Sequence, residues 1–205
     1  QGTRAGPDVF KVLINDLNLS LPYVKYVDDV SAMSVSTDPN DDSLQQAVNE
    51  TYAWSLEHGM VLNATRSKEM CVVFTKAIDK QFITPINTHN EIVERVASFK
   101  LLGVIIRYDL SWQEHVDYII TKASKRFYVL CQLKRSGVCN RDIIAVYCSL
   151  IRSVVEYASP VGHSELTKNQ SDLIEGVQKR CLRIVVSELP YSVAIQLAGL
   201  ELLSV

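Results

Sequence analysis

The chain has 205 residues, of which 47% are hydrophobic and 21% charged, with a net charge of −2. Such a composition is ordinary for a globular protein, and the length suits one large domain or two small ones. No apolar run approaches the ~18 residues of a membrane span, so no membrane partner is expected.

The start, Gln1-Gly2-Thr3-Arg4, is no signal peptide. Five cysteines (71, 131, 139, 148, 181) form no Cys-x-x-Cys pair, and the four histidines are dispersed. This favours buried thiols in a reducing, intracellular setting (nucleus or cytoplasm) over disulfides or zinc. The near-neutral balance hides an asymmetry. Residues 1–99 carry 8 basic and 13 acidic residues, net −5, while residues 100–190 carry 13 basic and 9 acidic, net +4. An acidic half beside a basic half suits a metal site beside a phosphate-binding surface, although most such charge lies on solvated faces.

Taken in order, Gly2 to Pro7 read as a loop. Pro7 opens a helix whose Phe10, Leu13, Ile14 and Leu17 recur at helical spacing, ending near Asn18. Tyr23 to Val35 is apolar and β-branched with Asp28-Asp29 in its middle, which predicts strand, tight turn, strand, with the acids at the turn. Adjacent carboxylates repel unless a cation lies between them, and Mg²⁺ favours one or two carboxylates plus phosphates. From this stretch alone, a plain turn dipeptide is the favoured explanation of the pair. Asp41-Asp42, a second such pair, precedes a helical pattern and reads as capping. Leu44, Ala47, Val48, Thr51 and Trp54 continue that helix, and Gly59 stops it.

Strands are expected over 60–63 and 71–74, with a polar turn from Ala64 to Glu69 between them. Residues 76–90 read as a loop, and 91–95 with 99–106 as a further strand pair. Gly103 inside Leu101-Leu102-Gly103-Val104 predicts close backbone approach or a bulge. The pattern turns helical near Asp109. Ser111 with Glu114 forms a capping box, and Val116, Ile119, Ile120, Ala123, Phe127 and Leu130 make one stripe ending at Gly137. Asn140 caps the next helix, with Ile143, Tyr147, Leu150, Ile151 and Val154 inward. Thr167 and Gln170 box the last, with Ile174, Val177, Cys181 and Ile184 inward. The expected fold is α+β, an α+β half over 1–108 followed by a helical half over 109–205.

Several stretches, taken together, resemble a known family. They are Gln1-Gly2-Thr3 with Gly6-Pro7 and Phe10, Ile14-Asn15-Asp16-Leu17, and Tyr26-Val27-Asp28-Asp29. Further on come Gly59-Met60 with Leu62-Asn63 and Arg66-Ser67-Lys68, and then Phe99 to Val104 leading to Asp109-Leu110-Ser111-Trp112 and His115. Their order and spacing resemble the reverse transcriptase of LINE-type (non-LTR) retrotransposons over nearly the whole chain. The resemblance implies part of a polymerase palm, an antiparallel sheet with helices, followed by a helical thumb. It implies RNA-directed DNA polymerisation by two Mg²⁺ ions, with Mn²⁺ as an alternative, on an RNA template, a DNA primer and deoxynucleoside triphosphates.

By that match Asp28 is the main metal ligand and Asp29 the auxiliary one. Tyr26 lies by the primer terminus, Gln1 and Gly2 line the template and nucleotide pocket, and Leu102-Gly103 form the primer grip. Lys122, Lys125 and Arg126 meet phosphates. Arg66 stands where the family usually has a lysine that protonates pyrophosphate, and arginine holds its proton too tightly for that. Lys68 is the nearby substitute, and a solvated turn is the plain alternative for both. The family's third carboxylate, its fingers and its endonuclease are not in this chain, so the chain alone is expected to be inactive. A non-catalytic remnant that binds nucleic acid or protein is the competing expectation.

Overall fold

A computed structural model describes residues 6–38, 40–74, 83–88 and 91–203, the side chains at 7 and 163 excepted. It is a mixed α+β structure that divides into two compact units, Gln1–Phe99 and Lys100–Val205.

In the first unit, α1 (Gly6–Ile14) leads to a hairpin of β1 (Tyr23–Tyr26) and β2 (Asp29–Ala32). Ile14 and Leu17 are buried, whereas Val9 and Val12 on α1 are exposed. Helix α2 (Ser43–Glu57) buries Ala47 and Ser55. Asp42 stands at the N-cap but makes no side-chain cap bond; Asp41 instead accepts the Ser43 N–H at 2.9 Å in a local turn at the helix start, so the expected cap is not formed. Gly59, at φ +64°, ends the helix as expected.

The strands differ from expectation beyond that point. Residues 60–63 and 71–74 form no strand; β3 is Lys68–Glu69, inside the expected polar turn. It pairs in parallel with β6 (Glu94–Arg95), while β4 (Asn87–Thr88) pairs antiparallel with β5 (Glu91–Ile92). Residues 91–95 therefore pair with 87–88 and 68–69, not with 99–106. The buried Glu69 explains the parallel bridge. Arg95 donates to both of its carboxylate oxygens at 3.1 and 2.8 Å, and a fork of this kind fixes register. Residues 99–106 instead belong to one hairpin of their own, β7 (Ser98–Leu101) and β8 (Val104–Arg107).

The second unit is helical after that hairpin. The single stripe expected from 111 to Gly137 is two helices, α3 (Gln113–Ser124) and α4 (Phe127–Arg135), broken at Lys125-Arg126. Arg126 donates to the carbonyl of Leu150, which lies within the π-helical segment Cys148–Arg152. Ser111 makes no cap; its own N–H is taken by Asp109 at 3.1 Å.

Helix α5 (Asn140–Tyr147) runs through the π segment into α6 (Ser153–Val155), followed by the short α7 (Ser159–Gly162). The long α8 (Lys168–Val185) opens on the expected capping box, both Thr167–Gln170 bonds being present. A further helix, α9 (Tyr191–Leu197), ends the unit. The inward residues meet in one core that includes Val116, Ile119, Leu130, Ile143, Tyr147 and Cys181. Burial pushes the Cys181 thiol up to about 12, which makes it inert. Among the described residues no helix is long and apolar enough to cross a membrane.

Candidate functional site

The β1–β2 hairpin turns on Val27-Asp28, with Tyr26 directly opposite Asp29. Strand alternation sets its two faces. Tyr23, Lys25, Val30 and Ala32 are half-buried, and Val24, Tyr26, Asp29 and Ser31 are exposed. Tyr26 and Asp29 therefore share the outer face, and Asp28 sits at the tip. Val27 has φ +55°, a region that β-branched residues rarely occupy, and such strain tends to gather at functional sites.

Two lysine and tyrosine side chains on the inner face anchor this tip. The Lys25 ammonium donates to the carbonyls of Ile14, Asn15 and Leu17 at 2.8, 3.2 and 2.6 Å. Those carbonyls lie at and just beyond the C-terminal end of α1, where a cation is favoured. Tyr23 OH adds a bond to the Leu17 carbonyl at 3.2 Å. The same segment is tied to α2. Trp54 Nε1–H donates to Asp16 Oδ1 at 2.9 Å, and His58 Nε2 lies 3.1 Å from Asp16 Oδ2. The His58 ring stacks on Trp54 with centroids 4.4 Å apart, and its Nδ1 faces the Trp54 carbonyl at 2.9 Å. Both ring nitrogens thus face acceptors, which is the environment of an imidazolium. His58 is shifted up, chiefly by the Trp54 carbonyl, and Asp16 down, chiefly by the Trp54 indole.

Among the described residues neither the Asp28 nor the Asp29 carboxylate makes a hydrogen bond or ion pair, and both residues are exposed. Hard carboxylate oxygens of this kind suit Mg²⁺ with water and phosphate completing its shell. The described residues contain no group of three or more His, Cys, Asp or Glu that could hold a metal. Of the other predicted residues in this unit, Gln1 and Gly2 lie outside the described residues. Arg66 is exposed on a turn. Lys68 is committed, donating to Glu94 at 2.5 Å and to the Thr65 carbonyl at 3.0 Å.

The second unit has a site of its own. Leu102 (φ +46°) and Gly103 (φ +92°) make a two-residue hairpin turn that needs left-handed backbone twice. Tyr157 OH donates to the Leu102 carbonyl at 2.6 Å, and a Cβ on Gly103 would fall 3.0 Å from the Tyr157 ring. The close approach expected at Gly103 is thus a turn against an aromatic ring, not a bulge.

Beside it lies a recess of about 300 Å³ lined by Lys100, Gly103, Tyr118, Lys122 and Tyr157. Lys100 donates to Tyr118 OH at 2.6 Å, and Lys122 lies 5.7 Å from that ring's centre. The Lys100 ammonium holds the Tyr118 phenol below its usual range. Among the described residues neither lysine pairs with a carboxylate. An anion is the natural third partner. Lys122 is thus joined by Lys100, which sequence reading had passed over. Lys125 is exposed on the helix end, and Arg126 is turned into the Leu150 contact.

The chain matches no family model, no curated protein and no solved structure. The site therefore rests on its own geometry.

Lys25 and His58 were the other residues missed. A lysine in phase with Tyr23 on the half-buried face of a strand is the signal for Lys25, since a buried ammonium needs acceptors. His58, four residues after Trp54 at a helix end, carried no such signal.

Proposed function

We propose that the chain is part of an RNA-directed DNA polymerase of the LINE (non-LTR) type. The observation that carries this reading is an unpaired aspartate pair on a strained hairpin tip, beside an exposed tyrosine, in a chain whose motifs follow that family's order. Asp28 is the principal metal ligand and Asp29 the auxiliary one. When bound, two divalent cations activate a primer 3′-hydroxyl and neutralise charge on the triphosphate. The chain's own part is to fix the carboxylates. Lys25 locks the hairpin to the end of α1, and Asp16, Trp54 and His58 lock that segment to α2. Tyr26, on the face of Asp29, is the contact for the primer terminus. The Lys100–Lys122 recess takes backbone phosphate of the template–primer.

The test is primer extension on an RNA template by the longest open reading frame that carries this chain. Asp28→Asn is expected to lower extension by about 10³-fold or more, the scale of a lost metal ligand. Extension at the unsubstituted rate would remove the assignment.

A second reading, nucleic-acid binding without catalysis, is favoured by the two unpaired ammonium groups at Tyr118. Binding of an RNA–DNA hybrid should then weaken with salt. Lys100→Ala and Lys122→Ala should each reduce the log–log slope by about one, with no dependence on Asp28.

A further inference from the structure

The second unit has another cavity, of about 330 Å³ and open on one side, whose wall includes Trp112, His115 and Ile119 of the α3 region, Pro160 of α7, Ile174 of α8 and Leu203. That volume lies at the lower end of small-molecule sites. Most of the wall is apolar or aromatic.

His115 is the polar group that stands out. The residue is only 7% exposed. Its Nδ1 accepts the Ile105 N–H at 3.3 Å, so in the neutral ring the proton sits on Nε2. Burial and the nearby Lys100 hold the ring below its usual range, which keeps it neutral at pH 7. Among the described residues Nε2 has no partner. No fully buried side-chain nitrogen or oxygen is left without one, so Nε2 is not sealed in protein. His115 is one of the residues that line the cavity. Nε2 is therefore a donor open to an acceptor, and one hydrogen bond there is worth about 0.5–1.5 kcal/mol net of water.

The remaining polar groups define the charge of an occupant. The Arg152 guanidinium is already spent on Glu156 at 2.6 Å, Gln178 at 3.3 Å and the Glu201 carbonyl at 3.4 Å. Its charge is matched by Glu156, and Glu201 adds a further acidic residue to the wall, so the cavity does not call for an anion. The shape comes from Trp112. A Cβ on Gly162 would overlap the indole ring, so glycine at that position lets the ring lie flush against the backbone. The indole meets the His115 ring edge-on at 5.8 Å. A flat apolar wall with one donor at its edge fits a flat molecule with one acceptor.

We propose that this cavity binds a small, uncharged heteroaromatic molecule of one or two fused rings, whose acceptor atom takes the hydrogen bond from His115 Nε2. This is independent of the aspartate hairpin and of any polymerase activity.

The test uses the full chain and two bicyclic probes of the same shape, benzimidazole and indole, at pH 7.5. Only benzimidazole carries an acceptor ring nitrogen. Binding is followed by nitrogen-15 spectra of the Trp112 indole N–H and the His115 ring. Trp54, in the other unit, is the internal control. The expected result is saturable shifts at Trp112 and His115 and none at Trp54. Benzimidazole should bind about tenfold more tightly than indole, the worth of one hydrogen bond to a buried donor. His115→Phe should bring benzimidazole down to the affinity of indole. Equal affinities in the unsubstituted chain overturn the proposal, and that comparison needs no variant to fold. Shifts that do not saturate, as expected of a merely water-filled cavity, overturn it too, as does an unchanged benzimidazole affinity in His115→Phe.

Discussion

The two units are held together in different ways. The second, Lys100–Val205, has a continuous core in which α3, α4, α5 and α8 bury aliphatic and aromatic side chains against one another. The first, Gln1–Phe99, buries few large apolar residues among those described, and its strands are two to four residues long. Short two-stranded pairs are marginal in water. What fixes them is a set of polar ties: Arg95 to Glu69, Lys25 to the end of α1, and His58 and Trp54 to Asp16. The lesson is that the acidic hairpin is positioned by charge and hydrogen bonds, while the helical unit is positioned by packing. The two should therefore respond to different perturbations.

The chain's two tryptophans make this measurable, because Trp54 reports the first unit and Trp112 the second. Denaturant unfolding of Trp54→Phe and Trp112→Phe backgrounds separates the two transitions.

The largest effect is expected at Arg95. Arg95→Met leaves the buried Glu69 carboxylate without its fork and should cost the first unit about 3–5 kcal/mol, with the Trp112 transition unmoved. Ile143→Ala is the matching change in the second unit. It empties a fully buried site and should cost about 2–5 kcal/mol on the Trp112 signal alone.

Smaller effects sharpen the contrast. Tyr147→Phe removes the buried bond to Gln178 Oε1, 2.8 Å long, and should cost about 1–3 kcal/mol. An equal loss on both signals would mean that the units do not unfold separately.

The smallest effect is one of pH. His58 is raised in the folded chain, so its contribution is fully present below its ordinary value of 6.5 and is lost as pH rises through the folded value. The Trp54 midpoint should decline as pH rises above about 6.5, and His58→Gln should flatten that slope. The Trp112 midpoint should move the other way, rising as pH approaches and passes 6.5, because His115 is held below its ordinary value in the folded chain.

The same contrast explains what could be read from the sequence. The helices of the second unit were legible because their apolar spacing and signals at Gly137 and Thr167–Gln170 are local. The break at Lys125-Arg126 was not, because it depends on a carbonyl in a distant π-helical segment. In the first unit the hairpin was legible from the acid pair and flanking β-branched residues, but it turns on Val27-Asp28, one residue before the expected Asp28-Asp29, and Asp29 opens β2. The ladders around Glu69 were not, because a parallel bridge set by a buried ion pair leaves no periodicity behind. The candidate site was half legible. Its acids stood in the sequence, but the ties that aim them, Lys25 and His58, join residues up to 42 positions apart.

The central claim is that Asp28 and Asp29 grip a divalent cation at the hairpin tip, and paramagnetic broadening of amide signals by Mn²⁺ tests it most directly. Titration at substoichiometric Mn²⁺ should broaden the amides of residues 26–30 first, Mg²⁺ should compete it away, and Asp28→Asn with Asp29→Asn should abolish it while the hairpin signals persist. Uniform broadening across acidic surface residues, unchanged in the double variant, would contradict the claim.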